Sequence, residues 1–518
     1  MIIYKKMNVC MFFNRAVTRL GHATILEIQK RSGGDGIFCG YISGRDPYFF
    51  LRDQVDIKYK TLLTDDILSV EAGNEVVDED FLDRKEKEYG TPFFWHFFTV
   101  DRAMINRWPH TFYTKYEPIF DHYQVKQQLQ YRIKTIEKMF DECKPDMIML
   151  TSACTMGSLL LYYIGRSRGI RCVVLMDTRL GDAQIFSESI YNKFTTVAEK
   201  WLLLQTGNYI SPKLKEAEAW IESYREKPVK PYWTIGLESP PLTHPVLLLK
   251  NLVRKILDSF NYGFPTIYAY TWTTYVKRNF LLWLNQYRHP RYDIFDPKES
   301  YVYFPLHFEP ELSLMLWAPY YTDQINVIFN IAQSLPINFK LYIKEHPAML
   351  TSRDREFYKK LKSIPNVRLI RPGLDSIDII KRAKIVMTVT GTAAWEAVLL
   401  KVPTIIFGAT YFDILSGVKR CKIPEDLPNL VNECLHYDGQ NEINKERDLQ
   451  NLVALVMEDM FDIDISKLWS ILKIEDIREN SDFKTYVEEM LKFYNKISKN
   501  DLKNQLDKTS TSDSKNGN

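Results

Sequence analysis

The stretch "TVTGTAAWEAVLLKVPTIIFG", residues 388–408, decides the fold. The apolar run "AKIVMTV" that leads into it reads as a buried strand. "AAWEAVLL" carries apolar residues at helical spacing, and "VPTIIFG" reads as the next strand. A strand, turn, helix and strand of this length make a parallel crossover. Gly391 lets the chain turn closely, and Thr390 or Thr392 is expected to cap the helix. The helix start then offers backbone N–H groups and a positive dipole end, an arrangement suited to an anion such as phosphate. The same letters also suit an ordinary capped helix in an α/β domain, so the stretch alone leaves both readings open.

Upstream, strand and helix alternate from residue 300. "ESYVYFPLHF", "NFKLYIKEHP" and "NVRLIRPG" read as strands; "DQINVIFNIAQSL", "REFYKKLKSI" and "DSIDIIKRA" read as helices. That alternation predicts a doubly wound parallel sheet. Each expected strand ends in chemistry-bearing residues: His307, Glu309 and Glu311; Lys344, Glu345 and His346; Arg371; then Thr390 to Thr392. Ligands of open parallel sheets sit at such carboxyl ends.

The first half repeats the theme. "MNVCMFFN" and "IFCGYISG" read as strands around a helix, although their glycines lack the dinucleotide-binding spacing. "KPDMIMLTS" and "IRCVVLMDT" flank another helix, and the second of these strands ends at Asp177 and Arg179. Residues 46–115 look irregular and aromatic. Within them "GTPFFWHFFTVDRAMINRWPH" reads as core or as a groove wall. The expected division is 1–190, a Rossmann-like domain on the acceptor side; 191–298, a helical insertion or link; 299–430, a second Rossmann-like domain holding nucleotide; 431–500, helical; and 501–518, a disordered tail. The whole is expected to be α/β, with two Rossmann-like domains facing a cleft and additional helical segments.

A chain of 518 residues is too long for one ordinary core. Its 68 Lys and Arg against 65 Asp and Glu call for no nucleic acid partner. Seven cysteines and nine histidines show no metal-ligand spacing, no DxD pattern falls at the strand ends, and no metal is expected. The odd number of cysteines, several of them in apolar runs, reads as reduced, cytoplasmic usage; the opening residues lack the pattern of a secretory signal, and no stretch reaches the apolar length of a spanning helix. The aromatic block at 93–98 and the basic-aromatic helices at 245–288 suit either buried packing or peripheral contact with the inner face of a membrane.

Three stretches, "YVYFPLHFEPELSL" (301–314), "LYIKEHPAM" (341–349) and "VTGTAAWEAVLLKVPTIIFG" (389–408), together resemble the C-terminal half of the bacterial capsule polysaccharide biosynthesis family. That family includes Kdo transferases that build on a lipid anchor. The segment 144–182 resembles it too. The resemblance implies a glycosyltransferase-B arrangement and a nucleotide-sugar donor (CMP-, UDP- or similar) held mainly by the C-terminal domain. It implies no required cofactor and a glycan or glycolipid acceptor. Carried onto this sequence, it assigns nucleotide or phosphate binding to Lys344, His346, Thr390, Gly391, Thr392 and Glu396. His307 stands where glutamine is commoner in the family, and Glu311 near an expected aspartate.

Sugar transfer from a nucleotide builds negative charge on the departing phosphate, which His346, Lys344 and a helix start can stabilise. The acceptor hydroxyl needs a base, for which Glu309, Glu311 and Asp177 are the candidates. His307, Arg179 and Arg371 are expected on the acceptor side or elsewhere in the cleft. Glycerophosphotransferase-like or epimerase-like chemistry, and a non-catalytic carbohydrate-binding or assembly role, remain alternative readings.

Overall fold

The computed structural model describes residues 6–15, 17–34, 36–91, 93–107, 116–151, 153–229, 245–261, 272–286, 290–350, 352–436 and 442–513. Among these described residues, thirteen strands form two sheets. The first holds β1 (Val9–Phe13), β2 (Phe38–Ile42), β3 (Thr61–Thr64), β4 (Met147–Leu150), β5 (Arg171–Asp177), β6 (Ala183–Ser187) and β13 (Phe461–Asp462), in the order β13-β6-β5-β4-β1-β2-β3. The second holds β7 (Tyr301–Pro305), β8 (Lys340–Lys344), β9 (Val367–Ile370), β10 (Ile385–Thr388), β11 (Thr404–Ile406) and β12 (Val418–Arg420), in the order β12-β11-β10-β7-β8-β9.

All pairings of the second sheet are parallel. Its central strands are covered on both faces, which is why they read as unbroken apolar runs. Two lobes result, in a glycosyltransferase-B-like α/β arrangement around a cleft.

Four strands escaped the sequence reading, β3, β6, β12 and the two-residue β13 within the stretch expected to be helical, and all lie toward sheet edges. β3 falls inside the stretch expected to be irregular; it has four residues, three of them half-buried. β12, "VKR", is short and charged, as edge strands often are. β6 returns antiparallel to β5 through a tight turn. In that turn Arg179 and Gly181 both adopt φ 62°. The aromatic block at 93–98 divides: Phe97 and Phe98 are core, whereas Phe93 and Trp95 are exposed.

The chain crosses between lobes more than once. The helices Thr195–Gln205 and Leu214–Glu226 pack against the later helix Glu442–Asp459. β13 then pairs antiparallel with β6, and Phe461 stacks on Phe186 at 5.2 Å. Phe483, Tyr486, Val487 and Met490 of the last helix join Val9 and Met11 in one core. That helix runs Ser481–Asp513. Among the described residues, no helix is long and apolar enough to cross a membrane.

An apolar seam joins the lobes. Phe194 stacks on Tyr411 at 4.2 Å, and the fully buried Trp395 packs against Tyr411 and Phe412. Polar contacts fix its register: Tyr411 OH donates to Thr178 O at 2.6 Å, and Arg225 Nε donates to Leu399 O at 2.7 Å.

Candidate active site

The second sheet reverses its order between β7 and β10, with β8 and β9 on one side and β11 and β12 on the other. The crevice beyond the carboxyl ends at such a switch point is where open α/β sheets bind ligands. His307 follows β7, His346 follows β8, and Thr390 to Thr392 follow β10.

His307 is buried and held from several sides. Its N–H donates to Gln324 Oε1 at 2.7 Å, and its carbonyl accepts from Arg353 Nη2 at 2.9 Å. Its ring Nε2 accepts the Thr390 N–H at 3.4 Å and lies 2.9 Å from Thr388 Oγ1. A backbone N–H can only donate, so these bonds assign the ring proton to Nδ1. Burial pushes the imidazole pKa down to about 3, helped by the neighbouring His346, Arg179 and Arg353. The ring is therefore neutral near pH 7.

His346 repeats the pattern on the adjacent strand. Pro347 holds it extended, at ψ 129°. Its Nδ1 accepts the Ala348 N–H at 3.2 Å, which leaves the proton on Nε2. Burial lowers its pKa, opposed by Glu345. Two neutral imidazoles thus stand on neighbouring strand ends, each with one N–H outside these backbone bonds.

The helix Thr392–Leu399 starts beside them. Its N-cap is Gly391, and no side chain caps it, contrary to the capping expected of Thr390 or Thr392. The Thr390 hydroxyl donates instead to Ser313 O at 3.1 Å. Gly391 is required by close approach: a Cβ there would stand 2.7 Å from Thr388 Oγ1 and 3.2 Å from His307 Cε1. Its N–H donates to Thr388 Oγ1 at 3.2 Å. Glu396, one turn inside the helix, is buried within electrostatic reach of Arg179 and Tyr303.

From the first lobe, Arg179 reaches the same point. Its guanidinium donates to Thr390 O at 2.8 Å and Gly391 O at 3.4 Å. Its N–H donates to Asp177 Oδ1 at 2.6 Å. Burial pushes the Asp177 carboxyl up to about 6, against the pull of Arg179. Glu311 is open to solvent yet ringed by protein, and that enclosure raises its pKa. Ser313 Oγ donates to its Oε2 at 2.7 Å, and Arg102 and Arg179 lie near.

Other expected residues stand elsewhere. Both oxygens of Glu309 are engaged, one by Gln324 and the other by Arg353 at 2.9 Å. The Lys344 ammonium donates to Leu374 O and, at 2.7 Å, to Ser376 Oγ, which ties β8 to the helix Ser376–Arg382. Arg371 is exposed at the end of β9, two strands from β7.

The residue the sequence hid is Arg353. Fully buried, it bridges Glu309 and Glu345, the latter at 2.8 Å, and holds the His307 carbonyl. In "TSRDREF" it looks like one more loop charge, and only the tertiary fold brings its partners together.

Between the lobes lies a cavity of about 1080 Å³, lined by Phe93, Trp95, Tyr191, Trp317, Tyr320 and Glu309 among others. It touches the His307 framework through Gln324 and Glu309, but His346, Asp177 and Arg179 are outside its lining. Among the described residues, no group of three His, Cys, Asp or Glu side chains is placed to hold a metal ion.

Residues 285–424 match a family model described as "Capsule polysaccharide biosynthesis protein". The match spans β7 to β12, the lobe that carries both histidines. No curated protein matches the chain. Among solved structures, the β-Kdo 2,4 transferase of Thermosulfurimonas dismutans KpsC is 15% identical with a TM-score of 0.35. That alignment covers 60% of this chain and 78% of the other. The β-Kdo 2,7 transferase of the same KpsC is 12% identical with a TM-score of 0.35, covering 72% and 97%. The UDP-GlcNAc 2-epimerase of Neisseria meningitidis, bound to UDP-GlcNAc, is 12% identical with a TM-score of 0.26, covering 94% and 100%.

Proposed function

We propose that this chain is a glycosyltransferase that moves a sugar from a nucleotide-sugar donor to a growing surface or capsular glycan or its lipid-linked acceptor. The observation that carries this reading is the pair of neutral imidazoles, His307 and His346, beside an uncapped helix start at the switch point. In transfer, an acceptor oxygen bonds to the anomeric carbon while the bond from that carbon to the phosphate oxygen breaks. The electron pair leaves with the nucleotide. The His346 Nε2–H, the His307 Nδ1–H and the first N–H groups of the helix Thr392–Leu399 are donors suited to that growing charge.

The acceptor proton goes to a carboxylate. Asp177 suits this step because a base with a pKa near 6 is ionised at neutral pH and still accepts a proton readily. Glu311 is the second candidate, with its carboxyl open to the cleft. Glu309 is less suited, since Arg353 and Gln324 already occupy it. The aromatic cavity between the lobes offers flat apolar faces for sugar rings of the acceptor.

The test is product analysis with CMP- and UDP-sugars, with and without oligosaccharide or glycolipid acceptors. Nucleotide release that requires acceptor, together with a lengthened glycan, is expected. Conversion of the free nucleotide sugar without acceptor would replace this reading with an epimerase-like one. Tight sugar binding without turnover would leave a binding protein.

A further inference from the structure

The two helices Pro245–Asn261 and Trp272–Gln286 pack against each other, yet none of their described side chains is buried. This is unusual, because both are rich in large apolar residues. On the first, Val246, Leu249, Val253 and Leu257 recur at helical spacing; on the second, Trp272, Val276, Phe280 and Trp283 do the same. Each of the eight is between 45% and 66% exposed. Stripes of this kind at three- and four-residue spacing ordinarily face a core. Here all eight side chains stay largely open to solvent instead, and exposed apolar stripes mark an interaction surface.

The charges say what kind. By sequence the two helices carry five basic residues, Lys250, Arg254, Lys255, Lys277 and Arg278, against one acid, Asp258. Basic residues interleaved with Trp, Phe and Leu complement an anionic bilayer surface. Tryptophan favours the headgroup level, lysine and arginine the anionic headgroups, and aliphatic side chains the acyl boundary. Within the described residues neither helix reaches a spanning length: 17 and 15 residues extend about 25 and 22 Å, short of a hydrocarbon core of about 30 Å.

We propose that this helix pair lies in the plane of an anionic membrane surface and holds the chain there as a peripheral protein. The inference stands apart from the glycosyltransferase reading, since it needs none of the crevice residues. It assigns the 245–286 helices, between the two lobes in sequence, to the bilayer rather than to the protein core.

The experiment is co-sedimentation of the full chain with vesicles of phosphatidylcholine alone and with added phosphatidylglycerol, across a salt series. Salt-weakened binding to the phosphatidylglycerol vesicles is expected. A Lys250→Gln, Lys277→Gln variant should bind roughly 30-fold more weakly, at about fivefold for each basic residue near the surface. A Leu249→Ser, Phe280→Ser variant should also lose binding while keeping its thermal unfolding, because both side chains are exposed. Absence of wild-type binding, or equal binding by both variants, would overturn the proposal. So would a wild-type dimer in sedimentation velocity that the Leu249→Ser, Phe280→Ser change abolishes, since the surface would then belong to a second copy of the chain. None of these outcomes depends on turnover, so failure here is distinct from failure of the proposed reaction.

Discussion

Arg179 of the first lobe donates to the backbone carbonyl of Thr390 in the second at 2.8 Å, and its own carbonyl accepts from Trp395 Nε1 at 3.1 Å. One residue of the β5–β6 turn thus clamps the start of the helix Thr392–Leu399 from both sides. The turn therefore ties Asp177, which accepts the Arg179 N–H, to the helix start of the second lobe. Arg179→Ala leaves the Thr390 and Gly391 carbonyls without this donor, at a cost of about 1–3 kcal/mol. Turnover should fall further than stability, and Arg179→Lys should restore little, because an ammonium lacks the guanidinium's fork. Thermal unfolding beside steady-state kinetics checks this.

His346→Ala should remain folded and lose roughly 10²–10³ in turnover, the usual effect of deleting one donor to a developing anion. The lost bond from Ala348 costs about 1 kcal/mol of stability. Near-normal turnover in a fully folded variant would reduce His346 to a cap of the short turn Pro347–Met349.

The pH profile separates the two open carboxylates. A base must be ionised, and Asp177 is protonated below a pKa of about 6. With Asp177 as base, kcat/KM falls about tenfold per pH unit on the acid side of pH 6. Glu311→Gln should then keep that limb, and Asp177→Asn should lose the activity. An acid limb that disappears in Glu311→Gln would transfer the role to Glu311.

His307 gives stability its own pH dependence. Its native pKa, about 3, lies below the unfolded value near 6.5, so the unfolded chain takes up a proton that the native ring refuses. Its contribution is complete above pH 6.5 and is lost as pH falls toward 3, by up to about 1.4 kcal/mol per pH unit. His22, His96 and His346 are shifted the same way. The His307 share is therefore the difference in urea-unfolding slope between wild type and His307→Gln from pH 6.5 to 5.

Arg353→Met should cost about 3–5 kcal/mol, because it strands two buried carboxylates, Glu309 and Glu345. Urea midpoints measure this. Glu309→Gln should keep turnover in its folded fraction, and a folded, inactive Glu309→Gln would return Glu309 to the list of bases.

The 388–408 stretch was legible because its strand is buried on both faces and its turn is short. Apolar letters then run unbroken, and Gly391 marks the bend. The strand ends after β7 and β8 could be read for the same reason. β3, β12 and β13, short strands at sheet edges, and β6, the short strand beside β13, could not, since none carries a long continuous apolar run. Nor could the difference between Glu309 and Glu311, two residues apart: the lock on Glu309 comes from Arg353, 44 residues later in the chain. Residue type showed that carboxylates were present, and only long-range contacts separate a framework carboxylate from an open one.

The pairing of β13 with β6 makes the two lobes unequal as pieces of chain. Residues 290–436 are contiguous and carry their own sheet, whereas the first lobe is stitched from residues before 230 and after 442. In topological terms the second lobe is an insert. It could be exchanged for an equivalent lobe as one contiguous piece, provided that the seam residues Trp395, Tyr411 and Phe412 are matched, while the host's early and late segments still meet. A fragment stopping at residue 440, by contrast, bares the apolar face that Phe461, Phe483 and Tyr486 cover. Recombination among relatives of this architecture would therefore exchange the His307 and His346 lobe as a cassette, while the Asp177 lobe can be inherited only with both of its separated segments together.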